Sequence, residues 1–200
     1  MSISEELAKS NRMANAIDVD INTLSVSATD RFRVSAALLD QALEHHHSIR
    51  LLLPNNGIGS AFALIRVIFE TTVRGIWLHR CATDEQIEQF RLDKVKVNFS
   101  EIVSAVETFF QRPDGALSSI KKDLWESMCS FAHGGYLQAV RRVTDEYITP
   151  NYTEAEQIEA LLFANFCLVL AAAEIFSMAG NNDLAVQTTD RFFSHTQPVT

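Results

Sequence analysis

Between residues 58 and 81 the chain reads Ile-Gly-Ser-Ala-Phe-Ala-Leu-Ile-Arg-Val-Ile-Phe-Glu-Thr-Thr-Val-Arg-Gly-Ile-Trp-Leu-His-Arg-Cys, proline-free and apolar on nearly every side of a helix. A helix without a polar side cannot lie on a surface; it has to be enclosed by others. Residues 160–173 form a second segment of this kind, shorter than the roughly 18 to 20 residues a bilayer span requires and followed by Glu174, so it reads as another central core helix. Turn-forming residues are scarce. Seven glycines and four prolines are spread over 200 residues, whereas an all-β chain needs a turn about every ten. The expectation is all-α: one domain over residues 1–200, a helical bundle of about six to eight helices around two apolar central ones.

Local signals place the helices. Residues 4–24 are acidic and weakly amphipathic, a loosely packed N-terminal helix. Ser27 and Thr29 offer caps for a helix reaching Leu53, stopped by Pro54-Asn55-Asn56-Gly57. Thr83 with Gln86 makes a capping box for a helix extending to Gln111, before Arg112-Pro113-Asp114-Gly115. A helix over 116–133 ends at Gly134-Gly135, and a short one covers 136–145. Thr153 and Glu156 cap the second central helix, which runs to Ala179; a short terminal helix ends near Ser194.

A net charge of -8 opposes non-specific binding to DNA or to anionic membranes, because such binding draws its energy from counterions released by Lys and Arg. The start of the chain has acidic and polar residues where an export signal has basic and apolar ones, which predicts a cytoplasmic protein. Cys81, Cys129 and Cys167 are odd in number and far apart, as expected of reduced core thiols. The run His45-His46-His47 cannot converge on one ion, since neighbours on a helix diverge by about 100°, and at most one of the three points inward. With no His-x3-His or Cys-x2-Cys pair and no phosphate loop, neither a metal nor a cofactor is expected.

The unusual residues are charges inside the first apolar helix. Arg66, Glu70 and Arg74 fall on one stripe, which Gly59, Ala63 and Trp77 extend. Buried charges must be paired or face a wet recess. Glu70 stands four residues from each arginine, within reach of both. One guanidinium is then in excess and suits an anion, unless Glu174, Glu126 or Asp123 completes an internal network. His133, ahead of Gly134-Gly135, either caps the carbonyls at its helix end as a cation or serves as a general acid or base. In the second case a ligand approaches the backbone N–H groups at the start of the Tyr136 helix, and Arg141 and Arg142 add positive charge nearby.

The segments Leu64-Ile65-Arg66-Val67-Ile68-Phe69-Glu70, Val73-Arg74-Gly75-Ile76-Trp77-Leu78 and Ala132-His133-Gly134-Gly135 together resemble a group of uncharacterised all-helical bacterial proteins. The spacing Arg74-x4-His79 is similar to the arginine-to-histidine motif of the HEPN superfamily, helical bundles that include metal-independent RNases of toxin and phage-defence systems. Taken with the charged stripe and the His133 turn, it gives Arg74, Glu70 and His133 as candidate catalytic residues, with His79 as the alternative histidine, and Arg66, Gly134, Gly135 and Arg141 as candidate ligand contacts. On a regular helix Arg74 and His79 diverge by about 140°, which favours His133. Two functions are thus expected: RNA cleavage, or a non-catalytic regulatory module built around the Arg-Glu-Arg stripe. Both predict a homodimer formed through an apolar helix face, with RNA or a small anion as ligand.

Overall fold

The computed structural model describes residues 2–113 and 115–196. Among them are nine α-helices and no strand: α1 (Ile3–Ile21), α2 (Asp30–Leu52), α3 (Ile58–Arg80), α4 (Asp84–Arg91), α5 (Phe99–Phe109), α6 (Ala116–Ala132), α7 (Tyr136–Val140), α8 (Glu154–Met178) and α9 (Asn182–Thr196). Ser2, Thr83, Asn98 and Thr153 each close a capping box with a Glu or Gln three residues on, which sets the starts of α1, α4, α5 and α8. Thr29 caps α2 through the Phe32 N–H.

The two apolar segments are α3 and α8, and they occupy the middle. Ile68, Phe69, Val73 and Leu78 of α3 are sealed from solvent, as are Leu161, Ala164, Cys167 and Phe176 of α8. As a whole α8 is long and apolar enough to cross a membrane, but 67% of its most apolar window is buried inside the bundle. α2 lies against α3 so closely that a Cβ on Gly75 would sit 2.8 Å from the Leu39 side chain. α5 and α6 cover α3 on another side, and α1 and α9 flank α8.

Two helix limits differ from the sequence expectation. The helix predicted from Thr83 to Gln111 is two helices. Asp93 takes a left-handed φ of 54°, the Lys94 N–H bonds back to the Gln89 carbonyl at 2.8 Å, and Asn98 with Glu101 opens a second helix. The helix predicted over 136–145 ends at Val140, because Val143 and Ile148 pair in an antiparallel bridge. Thr144 holds that turn by accepting from the Tyr147 N–H.

α1 is fastened to the bundle by its apolar face and by a buried polar knot. Ala14 and Ile17 pack against Leu168, Ala172 and Phe176 of α8. Ser10 donates to Asn165 Oδ1 at 2.6 Å, and the His46 Nε2 lies 2.9 Å from the same oxygen. A carbonyl oxygen only accepts, so the His46 proton sits on Nε2. Of the three consecutive histidines it is His46 that is buried, with Nδ1 unpartnered.

Burial pushes the His46 pKa from 6.5 down to about 4. The folded protein favours the neutral ring while the unfolded chain takes up the proton first, so this contribution is complete above pH 6.5 and is lost as pH falls toward 4. Urea unfolding near neutrality and near pH 4 is expected to show wild type losing about 3 kcal/mol more than His46→Leu over the interval. Equal losses in the two proteins would assign the acid sensitivity to other groups.

Candidate functional site

The charged stripe of α3 faces α6. Arg66 donates through Nε at 3.0 Å and Nη2 at 2.9 Å to a single oxygen, Oε1 of Glu70, four residues on. Its Nη1 contacts the Nε2 of His133. Its guanidinium plane lies 4.8 Å from the Trp125 ring centre, a cation–π contact. Arg66 and Glu70 are half-buried, with 19% and 24% of their side chains exposed, while His133 is open to solvent. A guanidinium has no acceptor, so His133 Nε2 must accept and its ring proton must sit on Nδ1.

His133 reaches Arg66 because of how α6 ends. The Gly135 N–H bonds to the Ser130 carbonyl at 2.7 Å across Gly134, whose φ of 66° favours glycine. This left-handed stop makes His133 the last half-helical residue and turns its ring toward α3 rather than onto the carbonyls of α6. The two glycines are committed to the turn. A Cβ on Gly135 would come within 2.9 Å of the Ser130 Cα, and the Leu137 N–H at the start of α7 bonds to Ser130 Oγ. Two of the backbone donors proposed for a ligand at the Tyr136 helix, those of Gly135 and Leu137, are therefore already taken by Ser130.

Glu70 does not bridge both arginines. Arg74 has no ion pair among the described residues and lies 5.7 Å from the Phe99 ring centre. Phe99 stacks on Trp125 with centroids 4.9 Å apart and planes inclined by 17°. Lys121, one turn before Trp125, stands 5.4 Å from the same indole. Two stacked rings are thus bordered by Arg66, Arg74 and Lys121, with Glu70 as the carboxylate held against them. Lys121 and Trp125 were readable in the sequence as an i,i+4 pair on the 116–133 helix; Phe99 comes from α5 and carries no sequence signal linking it to them.

Glu174, considered above as a partner for the stripe, is used elsewhere. It is 5% exposed on α8, accepts from Arg80 Nε at 2.6 Å and contacts His79 Nδ1. α8 runs alongside α3, with Phe163 against Phe69 and Glu174 at the level of His79 and Arg80, so this carboxylate pairs there and not with Arg74. Glu126 and Asp123 are exposed and make no ion pair among the described residues. His79 also packs edge-on to Phe32 and is not directed at Arg74. Arg141 pairs with Glu156 above the Tyr152 ring. Among the described residues no cluster of His, Cys, Asp or Glu is arranged to hold a metal ion.

The fold and site define an all-helical protein with a half-buried Arg–Glu–His cluster set on an aromatic pair. The chain belongs to DUF6988, a family of unknown function, which it matches over residues 39–198. That span includes every residue of the cluster. No curated protein and no solved structure matches the chain.

Double-mutant cycles should separate the two glutamate–arginine spacings. Arg66→Ala with Glu70→Ala is expected to show a coupling of about 1 to 2 kcal/mol, between exposed and buried pairs, and Arg74→Ala with Glu70→Ala less than about 0.5. Comparable couplings would mean that Glu70 is shared in solution. Glu174→Ala strands Arg80 and leaves the buried His79 without its partner, and thermal or urea unfolding should register a loss of about 3 to 5 kcal/mol.

Proposed function

We propose that the cluster binds a phosphodiester of RNA and cleaves it without a metal, with His133 as the base. The observation that carries this reading is the contact between Arg66 and His133, which sets an imidazole next to a guanidinium at an open edge of the bundle. An incoming phosphate oxygen takes over the Nη1 donor of Arg66 and frees the lone pair on His133 Nε2. That nitrogen removes the 2′-hydroxyl proton as the 2′-oxygen attacks phosphorus. The bond from phosphorus to the 5′-oxygen breaks, the leaving oxygen takes a proton from water, and a 2′,3′-cyclic phosphate remains. Arg74 and Lys121, which have no carboxylate partner among the described residues, supply the charge that stabilises the phosphorane. The reading is HEPN-like in its chemistry, and with it goes a cytoplasmic bacterial homodimer. Exposed Tyr136, Tyr147 and Ile148, just beyond His133, provide apolar surface for such pairing.

One observation favours a second reading. Nε, Nη1 and Nη2 of Arg66 are all engaged inside the protein, as in a clasp that fixes α6 on α3 in a non-catalytic module. Incubating the purified protein with total RNA in EDTA decides between the two. Under the first, wild type cleaves, and His133→Ala and Arg74→Ala each lose at least about a hundredfold while melting at the wild-type temperature. Absence of wild-type cleavage, together with a lowered melting temperature of His133→Ala, establishes the clasp.

A further inference from the structure

Beyond the cluster, the stripe of α3 continues toward the N-terminus of the helix to Gly59, and a second group of donors gathers there. An ideal Cβ on Gly59 would lie 3.2 Å from Nη2 of Arg142 and 3.5 Å from the Tyr152 hydroxyl. The guanidinium and the phenol both border a position where this chain has no side chain. The same segment that carries His133 delivers Arg142: α7 follows the Gly134-Gly135 turn, and Gln138 on α7 donates to the Gly59 carbonyl at 3.2 Å.

The neighbouring arginines have different surroundings. Arg141 is neutralised by Glu156. Arg142 is exposed and has no carboxylate partner among the described residues. It stands beside the first turn of α3, a helix of 23 residues whose N-terminus has no side-chain cap. The partial positive charge of a helix start repels a guanidinium, and an anion between them would reverse that repulsion. The Tyr152 hydroxyl is sealed from solvent with no hydrogen-bond partner, and its ring is wedged against Phe62 at 4.6 Å between centroids. An unpaired buried hydroxyl is a burden on the ligand-free fold that an acceptor would remove.

We propose that Arg142 and Tyr152, both bordering Gly59, form a second phosphate site, and that the ligand is a single strand with phosphates at both sites. This rests on the RNA reading above and extends it from a lone phosphodiester to an oligonucleotide. Seven residues separate Gly59 from Arg66, so the two sites stand about 10 Å apart along α3. A free phosphate fills one of them; a strand lying along the stripe fills both.

The test uses a fluorescent, 2′-O-methylated oligouridylate, which has no 2′-hydroxyl to attack, with anisotropy followed across a salt series. Arg142→Gln is expected to weaken binding about five- to tenfold at low salt and to reduce the slope of log affinity against log salt by about 0.7, the value for one phosphate contact on a single strand. Tyr152→Phe is expected to weaken binding about threefold with no fall in melting temperature, because the phenylalanine lacks the orphaned hydroxyl. Wild-type affinity and slope in Arg142→Gln, with weakened Arg74→Gln, would overturn the second site and leave the cluster standing. The reverse pattern would support the second site and overturn the cluster as the RNA contact. Inorganic phosphate at constant ionic strength is the remaining arm. If it stabilises wild type but not Arg142→Gln, and Arg142→Gln retains wild-type strand binding, the site is one for a lone anion and the strand proposal fails.

Discussion

A guanidinium on the central helix of an apolar bundle has to be met by something, and what meets Arg66 organises this side of the molecule. Glu70 is available on the same helix one turn away, so one face of the arginine is satisfied before any tertiary contact forms. The remaining N–H and the flat face of the ion need partners from elsewhere. α6 supplies both, with Trp125 beneath the plane and His133 at the edge. Packing α6 on α3 and solvating Arg66 are in that sense one event. Phe99 then joins through its stack on Trp125, which couples α5 to the same charge.

The two ends of α3 are treated differently. At its C-terminal end Arg80 and His79 converge on a buried carboxylate from α8, and the positive charge is matched within the protein. Along the middle and toward the N-terminal end, Arg74 and Arg142 have no carboxylate among the described residues. A chain with a net charge of -8 has enough acidic residues to pair every arginine. These two arginines lie close to a histidine and an orphaned phenol.

Much of the fold was legible because helix signals are local. Capping boxes at Thr83 and Thr153, the stop at Gly134 and the all-round apolar segments all act within a few residues. The long helix read from Thr83 failed for a reason of the same kind. The Asn98–Glu101 box is as strong as the one at Thr83, and periodicity of apolar residues on both sides concealed it. The short hairpin at Val143 and Ile148 was missed because two β-branched residues facing each other across a turn look no different from the last turn of a helix.

The sequence by itself determined that two helices would be enclosed, that three charges would share a stripe on one of them, and that the chain would turn sharply after His133. Those follow from backbone geometry and from the free energy of burying apolar surface, which act along the chain. Only the tertiary structure decided which charge met which. Glu174 went to Arg80 because of the height at which α8 lies alongside α3, Arg74 was left over an aromatic ring, and His133 found Arg66 across 67 positions of sequence. Pairing of charges depends on separations of a few ångströms between helices, and helical periodicity specifies the face of each residue but not the height at which two helices cross.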